Sequence, residues 1–207
     1  MTIRLYTFES FNPKKVELAL YELGLPFEPI TVDLYQRQNK TESFLALNPR
    51  GKVPVIEADG FVLTESHAIL AWLGEREGRL WPTDPAGRAT ALSWLFYATG
   101  HLEEDIGTAW FHAWTLPRLG RPGDAGKIEA ACLALRGPLK HLERAVTDAP
   151  YVLGTFSLVD VSIAVLIEAL LAAPFDLDAF PAITAWHERV RARPTWERLG
   201  LRYRRSG

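Results

Sequence analysis

The segment from Asn48 to Ser66 constrains the fold more than any other part of the chain, because a tight turn and a helix start closely follow a Val-Pro bond. Val53-Pro54 enters a short apolar run, and Asp59-Gly60 separates this run from a second one, which predicts a β-hairpin. The helix that opens at Glu65-Ser66 offers unpaired N–H groups and a dipole that favour an anion. A peptide beside Val53 could place a carboxylate there, so the segment predicts a site for a small anionic peptide.

Strand and helix patterns alternate before and around this segment. Apolar alternation predicts a first strand, helical spacing predicts a helix that Gly24 ends, and a second strand completes a βαβ unit with a parallel pair. A short helix, the hairpin and a final helix then give a βαβ-ββα plan. The predicted elements are a strand at 2–6, a helix at 13–23, a strand at 27–32, a helix at 42–47, strands at 53–58 and 61–63, and a helix at 65–75.

The pattern changes between Gly78 and Gly87, where glycines and prolines cluster, and no later segment has a convincing strand pattern. We therefore predict a first domain at 1–78, a linker at 79–87 and a second domain at 88–207. The second domain is expected to be an all-α bundle, in which Ser157 to Asp160 forms a structural capping box. Its helical patterns run over 86–113, 127–146, 158–172 and 183–193.

Composition argues against several kinds of partner. The formal net charge of -2 gives no basic excess for nucleic acid or an anionic membrane surface. The longest apolar run, 161–175, contains Glu168 and is shorter than the roughly 20 residues of a membrane span. The N-terminal residues lack a secretory signal and the single cysteine, Cys132, cannot form an internal disulfide, so a cytoplasmic protein is expected. The five histidines lack metal-ligand spacing, so no metal site is expected.

Two segments of the chain resemble the glutathione transferase family. They are 10–16, which reads Ser-Phe-Asn-Pro-Lys-Lys-Val, and 48–66, which matches the family's N-P-x-G-K-V-P followed by E-S that cradles glutathione. The resemblance covers essentially the whole chain and implies the family's cytosolic architecture, a thioredoxin-like α/β N-terminal domain followed by an all-α C-terminal helical bundle. It also implies a bacterial serine-type enzyme that is a homodimer, with glutathione as co-substrate and a hydrophobic electrophile as second substrate.

Ser10 and Asn12 are the candidates for activating the sulfur. Pro13 suits the first helical position and Asn12 the N-cap, so Ser10 is expected just ahead of a helix N-terminus, where a thiolate is stabilised. In serine-type members the serine at this place donates a hydrogen bond to the sulfur of glutathione. The Ser-x-Asn pattern resembles the Thr-x-Asn of nu-like enzymes, whose asparagine also reaches the sulfur. Asn12 could equally be only a cap, and the sequence leaves the main sulfur ligand open. Tyr6 is assigned to packing.

By the same resemblance, groups around the 48–66 segment hold the two ends of glutathione. Lys52 is expected to meet the glycyl carboxylate, whereas Glu65 and Ser66 hold the γ-glutamyl amine and carboxylate. The backbone at Val53 and a cis Pro54 pair with the peptide. Asn39 stands where related enzymes place a further carboxylate-binding side chain.

The electrophile site is expected to be apolar. Phe11, Trp110 and Phe111 are its candidate residues, with core or dimer packing as the alternative for the last two. Two other functions remain open for this chain. One is a non-catalytic glutathione-transferase-like binding module, and the other is a glutathione-dependent peroxide or disulfide reductase that uses the same thiolate. Ser10 is present together with Lys52, Glu65 and Ser66, the residues expected to hold the two ends of glutathione, and this combination favours an enzyme.

Overall fold

The computed structural model describes residues 3–201 and 203, and the chain divides into two compact units, Met1–Thr83 and Asp84–Gly207. The elements of the first unit are β1 Ile3–Thr7, α1 Phe11–Leu23, β2 Phe27–Thr31, α2 Glu42–Leu47, β3 Val55–Ala58, β4 Phe61–Thr64 and α3 Ser66–Glu77, with a 3₁₀ turn at Gln38–Lys40. They form the predicted thioredoxin-like plan, and the strand order in the sheet is β2-β1-β3-β4.

Strand pairing follows from the connections between the strands. The helical crossover through α1 makes β1 and β2 parallel, whereas β3 runs antiparallel to both β1 and β4. The β3–β4 hairpin pairs Ala58 with Phe61 across Asp59 and Gly60, whose φ angles are 53° and 83°. Two successive positive φ angles match the right-handed twist of the flanking strands, which explains why Asp-Gly occupies this turn.

The core of the first unit lies where α1 and α3 pack on each other and on the sheet. Val16 and Leu20 of α1, Leu5 of β1 and Leu73 of α3 are all fully buried. A second cluster joins Val32, Phe44 and Val55, with Tyr6 packed against it. The Tyr6 hydroxyl donates to Glu57 Oε2 at 2.6 Å, so the assignment of this tyrosine to packing is confirmed.

The start of α1 differs from the prediction. Ser10 is the N-cap, Phe11 is the first helical residue and Pro13 is the third, so the predicted N-cap at Asn12 is wrong. Proline is tolerated in the first turn because its missing N–H would have no intrahelical partner there. A proline in this position therefore does not mark the first residue of the helix. The helix ends as predicted at Gly24, whose φ is 70°.

The described residues of the second unit form helices joined by loops, and their only β pairing is an isolated bridge between Leu153 and Thr155. None of the described helices is long and apolar enough to cross a membrane. The helices of the second unit are α4 Pro85–His101, α5 Glu103–Trp110, α6 Leu116–Arg118, α7 Ala125–Thr147, α8 Leu158–Leu170, α9 Pro181–Arg191 and α10 Pro194–Leu199. A π-helical turn lies at Phe111–Thr115 and a 3₁₀ turn at Leu177–Ala179.

Among the boundaries in this unit that differ from the sequence pattern, two have a clear physical cause. The single helix predicted over 86–113 is interrupted at Leu102 and then passes into the π-helical turn. Leu102 is fully buried, so the apolar periodicity continues through the interruption and conceals it. The last predicted helix ends at Arg191, because Arg193 precedes Pro194 and adopts an extended conformation with ψ 138°.

Helix α8 is buried along its whole length and begins at a buried carboxylate. Asp160 is 0% exposed, and its two oxygens accept four hydrogen bonds, each 2.9 Å long. The donors are the backbone N–H groups of Val152 and Ser157, the Ser157 hydroxyl and the indole of Trp186. The predicted capping box is confirmed, and it also joins the preceding loop and α9 to the start of α8.

Replacing Gly74 with alanine is expected to destabilise the first unit by about 1 to 3 kcal/mol, although alanine favours a helix over glycine by about 1 kcal/mol. A Cβ at this position of α3 would lie 2.6 Å from Trp81 Cβ and 2.7 Å from Trp81 Cγ. Gly100→Ala in α4 is the matched control, because nothing lies within 4 Å of its Cβ position, and it should be stabilising. Urea unfolding measures both variants. Equal stabilisation by the two substitutions would contradict the packing described here.

Candidate functional site

Ser10 occupies the junction between β1 and α1. Its backbone is extended, its N–H donates to Phe8 O at 2.8 Å, and its carbonyl accepts from Lys14 N at 3.3 Å. The hydroxyl makes no capping hydrogen bond to the first turn of α1. Ser10 therefore stands at the positive end of the helix with a hydroxyl that is not used to satisfy the helix itself.

Asn12 links the starts of the two helices that cover the sheet. Its Oδ1 accepts a hydrogen bond of 2.8 Å from Lys15 Nζ and one of 3.4 Å from the hydroxyl of Ser66, the first residue of α3. The structure thus brings together two predicted site residues, Asn12 and Ser66. Asn12 is not the N-cap, so the alternative in which its side chain only caps α1 is wrong.

Sequence reasoning missed Lys15, which is 0% exposed and lies one turn after Asn12. The signal was its spacing, since Lys15 is four residues before the buried Ala19 and therefore on the same face of α1. Its Nζ also lies 3.5 Å from His67 Nε2. Burial, together with the neighbouring Lys15 ammonium, holds the pKa of His67 well below its usual 6.5.

A histidine kept neutral by its surroundings makes stability depend on pH. Below pH 6.5 the unfolded chain protonates His67 while the folded chain does not, so stability present at neutral pH is lost as the pH falls. Between pH 7.5 and 5.5 wild type should lose about 1 kcal/mol more of its unfolding free energy than His67→Gln does. Urea unfolding of both proteins at the two pH values measures this difference. An identical pH dependence of the two would show that His67 titrates normally.

The loop before β3 is organised by Asn48, which is 3% exposed. Its Nδ2 donates to Lys52 O at 2.7 Å, its Oδ1 accepts from Arg50 N at 3.2 Å, and its carbonyl accepts from Gly51 N at 2.8 Å. The Lys52 side chain is exposed, and the Val53–Pro54 peptide bond is cis, as the resemblance implied. The sequence pattern assigned no separate role to Asn48, whereas in the structure its hydrogen bonds shape the segment that carries Lys52 and Val53.

Asn39 lies beside this loop. Its Nδ2 donates to Gly51 O at 2.7 Å, so one of its amide hydrogens is used within the protein. Gly51 has φ 63°, and a Cβ there would lie 2.8 Å from Asn39 O, which explains why glycine is needed at this close approach. Asn39 is thus brought next to the segment that carries Lys52.

Glu65 immediately precedes α3 in an unusual backbone conformation. Its φ is 70° and its ψ is 116°, and a non-glycine residue in such a region carries roughly 1 to 3 kcal/mol of strain. Its exposed carboxylate pairs with Arg50 Nη2, which also donates to Thr64 Oγ1 at 3.2 Å. Neither carboxylate oxygen caps α3. The Glu65 carboxylate therefore lies beside the N-terminus of α3, and this terminus favours an anion.

The three candidate residues for the electrophile site differ in exposure. Phe11 is half-buried at the first position of α1. Trp110 is 8% exposed and packs edge to face on Tyr203 with ring centroids 5.7 Å apart, so its assignment to an open apolar site is corrected to core packing. Phe111, 42% exposed at the start of the π-helical turn, presents its ring to the surface.

Within residues 3–201 and 203, no group of three or more histidine, cysteine or acidic side chains could hold a metal ion.

Comparisons with known proteins show which family this chain resembles. A family model described as glutathione S-transferase, N-terminal domain, matches residues 10–76. The chain is 30% identical over 200 residues to the disulfide-bond oxidoreductase YfcG of Escherichia coli, covering 93% of this chain and 91% of the relative. It is 31% identical over 194 residues to the glutathione S-transferase GstB of Escherichia coli, covering 89% and 90%.

A solved structure extends the likeness to three dimensions. The crystal structure of a glutathione transferase from Burkholderia graminis, with two glutathione molecules bound per subunit, is 27% identical to this chain and has a TM-score of 0.84. The match covers 96% of this chain and 87% of that one. Because the likeness extends over both compact units and the relatives match at 30% identity or more over nearly their whole length, the chain belongs to the glutathione transferase family.

Proposed function

We propose that this protein is an enzyme that binds glutathione, stabilises its thiolate and directs it to a hydrophobic electrophile. The observation that carries the proposal is the position of Ser10, which is the N-cap of α1 and has a hydroxyl not used in capping. Asn12 is the second residue of α1, and its Oδ1 accepts hydrogen bonds from Lys15 Nζ and the Ser66 hydroxyl. The hydroxyl and the amide each donate to the sulfur of bound glutathione.

The energy needed for this task is modest. A free thiol has a pKa of about 8.5, and each unit of depression requires about 1.4 kcal/mol of stabilisation of the anion over the thiol. A hydrogen bond to a charged group contributes roughly 1.5 to 3 kcal/mol, and the end of a helix adds about 0.3 to 1 kcal/mol. One such hydrogen bond together with the end of α1 is therefore enough to lower the thiol pKa by about one to two units, which gives a substantial fraction of thiolate near neutral pH.

The remaining predicted residues orient the peptide. Lys52 meets the glycyl carboxylate, and Asn39 supports it through its second amide hydrogen. The backbone of Val53 pairs with the cysteinyl unit beside the cis Pro54. The γ-glutamyl carboxylate lies at the start of α3 by Ser66, and Glu65 holds the amine. The glutathione bound to the Burkholderia graminis relative supports this assignment of the co-substrate.

Lys52→Ala is expected to raise the glutathione KM about tenfold, because a charge-assisted contact of roughly 1.5 kcal/mol or more is lost from the glycyl end. Its kcat should change little, since Lys52 does not reach the sulfur. Isothermal calorimetry with glutathione and steady-state kinetics measure the two effects. Lys127→Ala, an exposed lysine at the start of α7, is the control. Wild-type affinity in Lys52→Ala would contradict the proposed orientation of the peptide.

Disulfide reduction is the second candidate function, and the Escherichia coli relative named as a disulfide-bond oxidoreductase favours it. In that reaction the glutathione thiolate attacks one sulfur of a disulfide, the other sulfur leaves as a thiolate, and a second glutathione completes the exchange. Product analysis separates the candidates when one preparation is given 1-chloro-2,4-dinitrobenzene, a hydroperoxide or a mixed disulfide. Conjugate formation supports the transferase, and oxidised glutathione from either of the other substrates supports a reductase. Glutathione binding without turnover of any of these substrates would support a non-catalytic binding module instead of an enzyme.

We also propose that the protein is a cytoplasmic homodimer. Each unit exposes large apolar side chains, Phe61 and Val62 on β4 and Phe96 on α4, which a second copy could cover. Sedimentation equilibrium tests the subunit number, and a monomer at micromolar concentration would contradict the proposal.

A further inference from the structure

Lys15 is a fully buried lysine next to a residue proposed to bind the sulfur. Its Nζ donates to Asn12 Oδ1 at 2.8 Å and lies 5.6 Å from the centroid of the Phe11 ring. Its neighbour Lys14 instead pairs with Glu17 at 2.8 Å on a partly exposed side of α1. Burying an ammonium is costly unless polar groups compensate for the lost water, so a role is expected for the charge at this position.

The ammonium of Lys15 determines which way the Asn12 amide points. An ammonium has only donors, so the atom 2.8 Å from it must be the amide oxygen and not the amide nitrogen. The Ser66 hydroxyl, 3.4 Å from the same oxygen, can act as a second donor. Because the oxygen and nitrogen lie on opposite arms of a planar group, the two Nδ2 hydrogens are directed away from Lys15.

The buried charge also strengthens the amide as a donor. A cation at the carbonyl oxygen draws electron density from the nitrogen, and hydrogen bonds linked in this way polarise one another, most strongly where water is excluded. His67 does not share the positive charge, because its burial and the nearby ammonium hold its pKa well below 6.5. The Lys15 side chain, 2.8 Å from the Asn12 oxygen, is one amide group away from the proposed position of the sulfur.

We propose that Lys15 is a positioning residue for sulfur activation, holding and polarising the Asn12 amide so that its Nδ2 donates to the thiolate of glutathione. Lys15 does not touch the peptide, and it transfers no proton. This inference rests on the proposed function, and it adds a residue that acts on the sulfur only through Asn12. The Ser10 hydroxyl donates independently of it.

The test compares Lys15→Met, Lys15→Arg and the control Lys14→Met by ultraviolet titration of bound glutathione and by calorimetry. Lys15→Met should raise the pKa of the bound thiol by about one unit and slow the reaction about tenfold below that pKa, while glutathione affinity changes less than about twofold. Lys15→Arg keeps a cationic donor and should recover most of the loss. Lys14→Met should titrate as wild type. A titration that Lys15→Met leaves unmoved would overturn the proposal.

The Asn12→Ala background separates a positioning role from a direct one. Lys15→Met should produce no further shift of the thiol pKa in that background, whereas an equal shift in both backgrounds would mean that Lys15 acts on the sulfur directly and would overturn the proposal. If Lys15→Met does not fold, Asn12→Asp gives a second test. It keeps an acceptor for Lys15 but removes the Nδ2 hydrogens, so an unchanged thiol pKa would also overturn the proposal. A wild-type protein that forms no thiolate overturns the proposed function itself, and that result is distinct from all of these.

Discussion

Asp160→Ala is expected to lower the free energy of unfolding by at least about 3 kcal/mol, because each buried donor left without an acceptor costs roughly 1 to 3 kcal/mol. Four donors converge on this carboxylate, and two of them belong to Val152 and Trp186, outside the helix that it caps. The loss therefore exceeds that of an ordinary cap and loosens the loop, α8 and α9 together. For a chain of this size the melting midpoint should fall by roughly 6 °C or more.

Two variants calibrate this loss. Asp124→Ala removes the exposed cap of α7, whose side chain accepts a single bond from Lys127 N at 3.1 Å, and it should cost only about 1 kcal/mol. Asp160→Asn keeps one acceptor oxygen and places an amide group toward two of the four donors, so its cost should be intermediate. Urea and thermal unfolding measure all three variants. An unchanged midpoint in Asp160→Ala, with activity lost, would contradict the structural role of this residue.

Ser10→Ala and Asn12→Ala are each expected to slow turnover at pH 7 by about one to two orders of magnitude, since each removes a hydrogen bond of roughly 1.5 to 3 kcal/mol to the thiolate. Neither change should weaken glutathione binding much, because the charged ends of the peptide are held elsewhere. The loss should shrink at high pH, where solvent alone ionises the thiol.

Conjugation rates from pH 6 to 9, with calorimetry as the measure of folding and binding, test these two variants. A folding defect would lower the rate equally at every pH, whereas a pKa effect is relieved as the pH rises. If Asn12→Ala changes the profile and Ser10→Ala does not, the asparagine is the principal sulfur ligand. Profiles that parallel wild type in both variants would rule out this mechanism of activation.

Features fixed by neighbouring residues could be predicted from the sequence. Asp59-Gly60 specifies its hairpin through local φ angles, and α2 has the predicted bounds Glu42–Leu47 because the Thr41 side chain caps it by accepting from Phe44 N. The start of α1 was harder, since Ser10 and Asn12 are both good capping residues and proline fits any position of the first turn. The choice between them depends on Asn12 pairing with Lys15 and Ser66, and Ser66 is distant in sequence.

Burial of polar residues depends on contacts that the sequence does not display. Lys15 stands beside Lys14, and only the packing of α1 against α3 makes one of them buried and leaves the other partly exposed. Trp110 and Phe111 are adjacent aromatics with opposite environments, because successive residues of a helix point in different directions and only the packing decides which of them is buried.

The most direct test of the account is an ultraviolet titration of glutathione bound to the wild-type protein, which follows thiolate absorbance as the pH rises. We predict a midpoint about one to two units below the value of about 8.5 for a free thiol, with glutathione saturating throughout. A midpoint equal to that of free glutathione, in a protein that calorimetry shows to bind it, would contradict thiolate stabilisation at the start of α1.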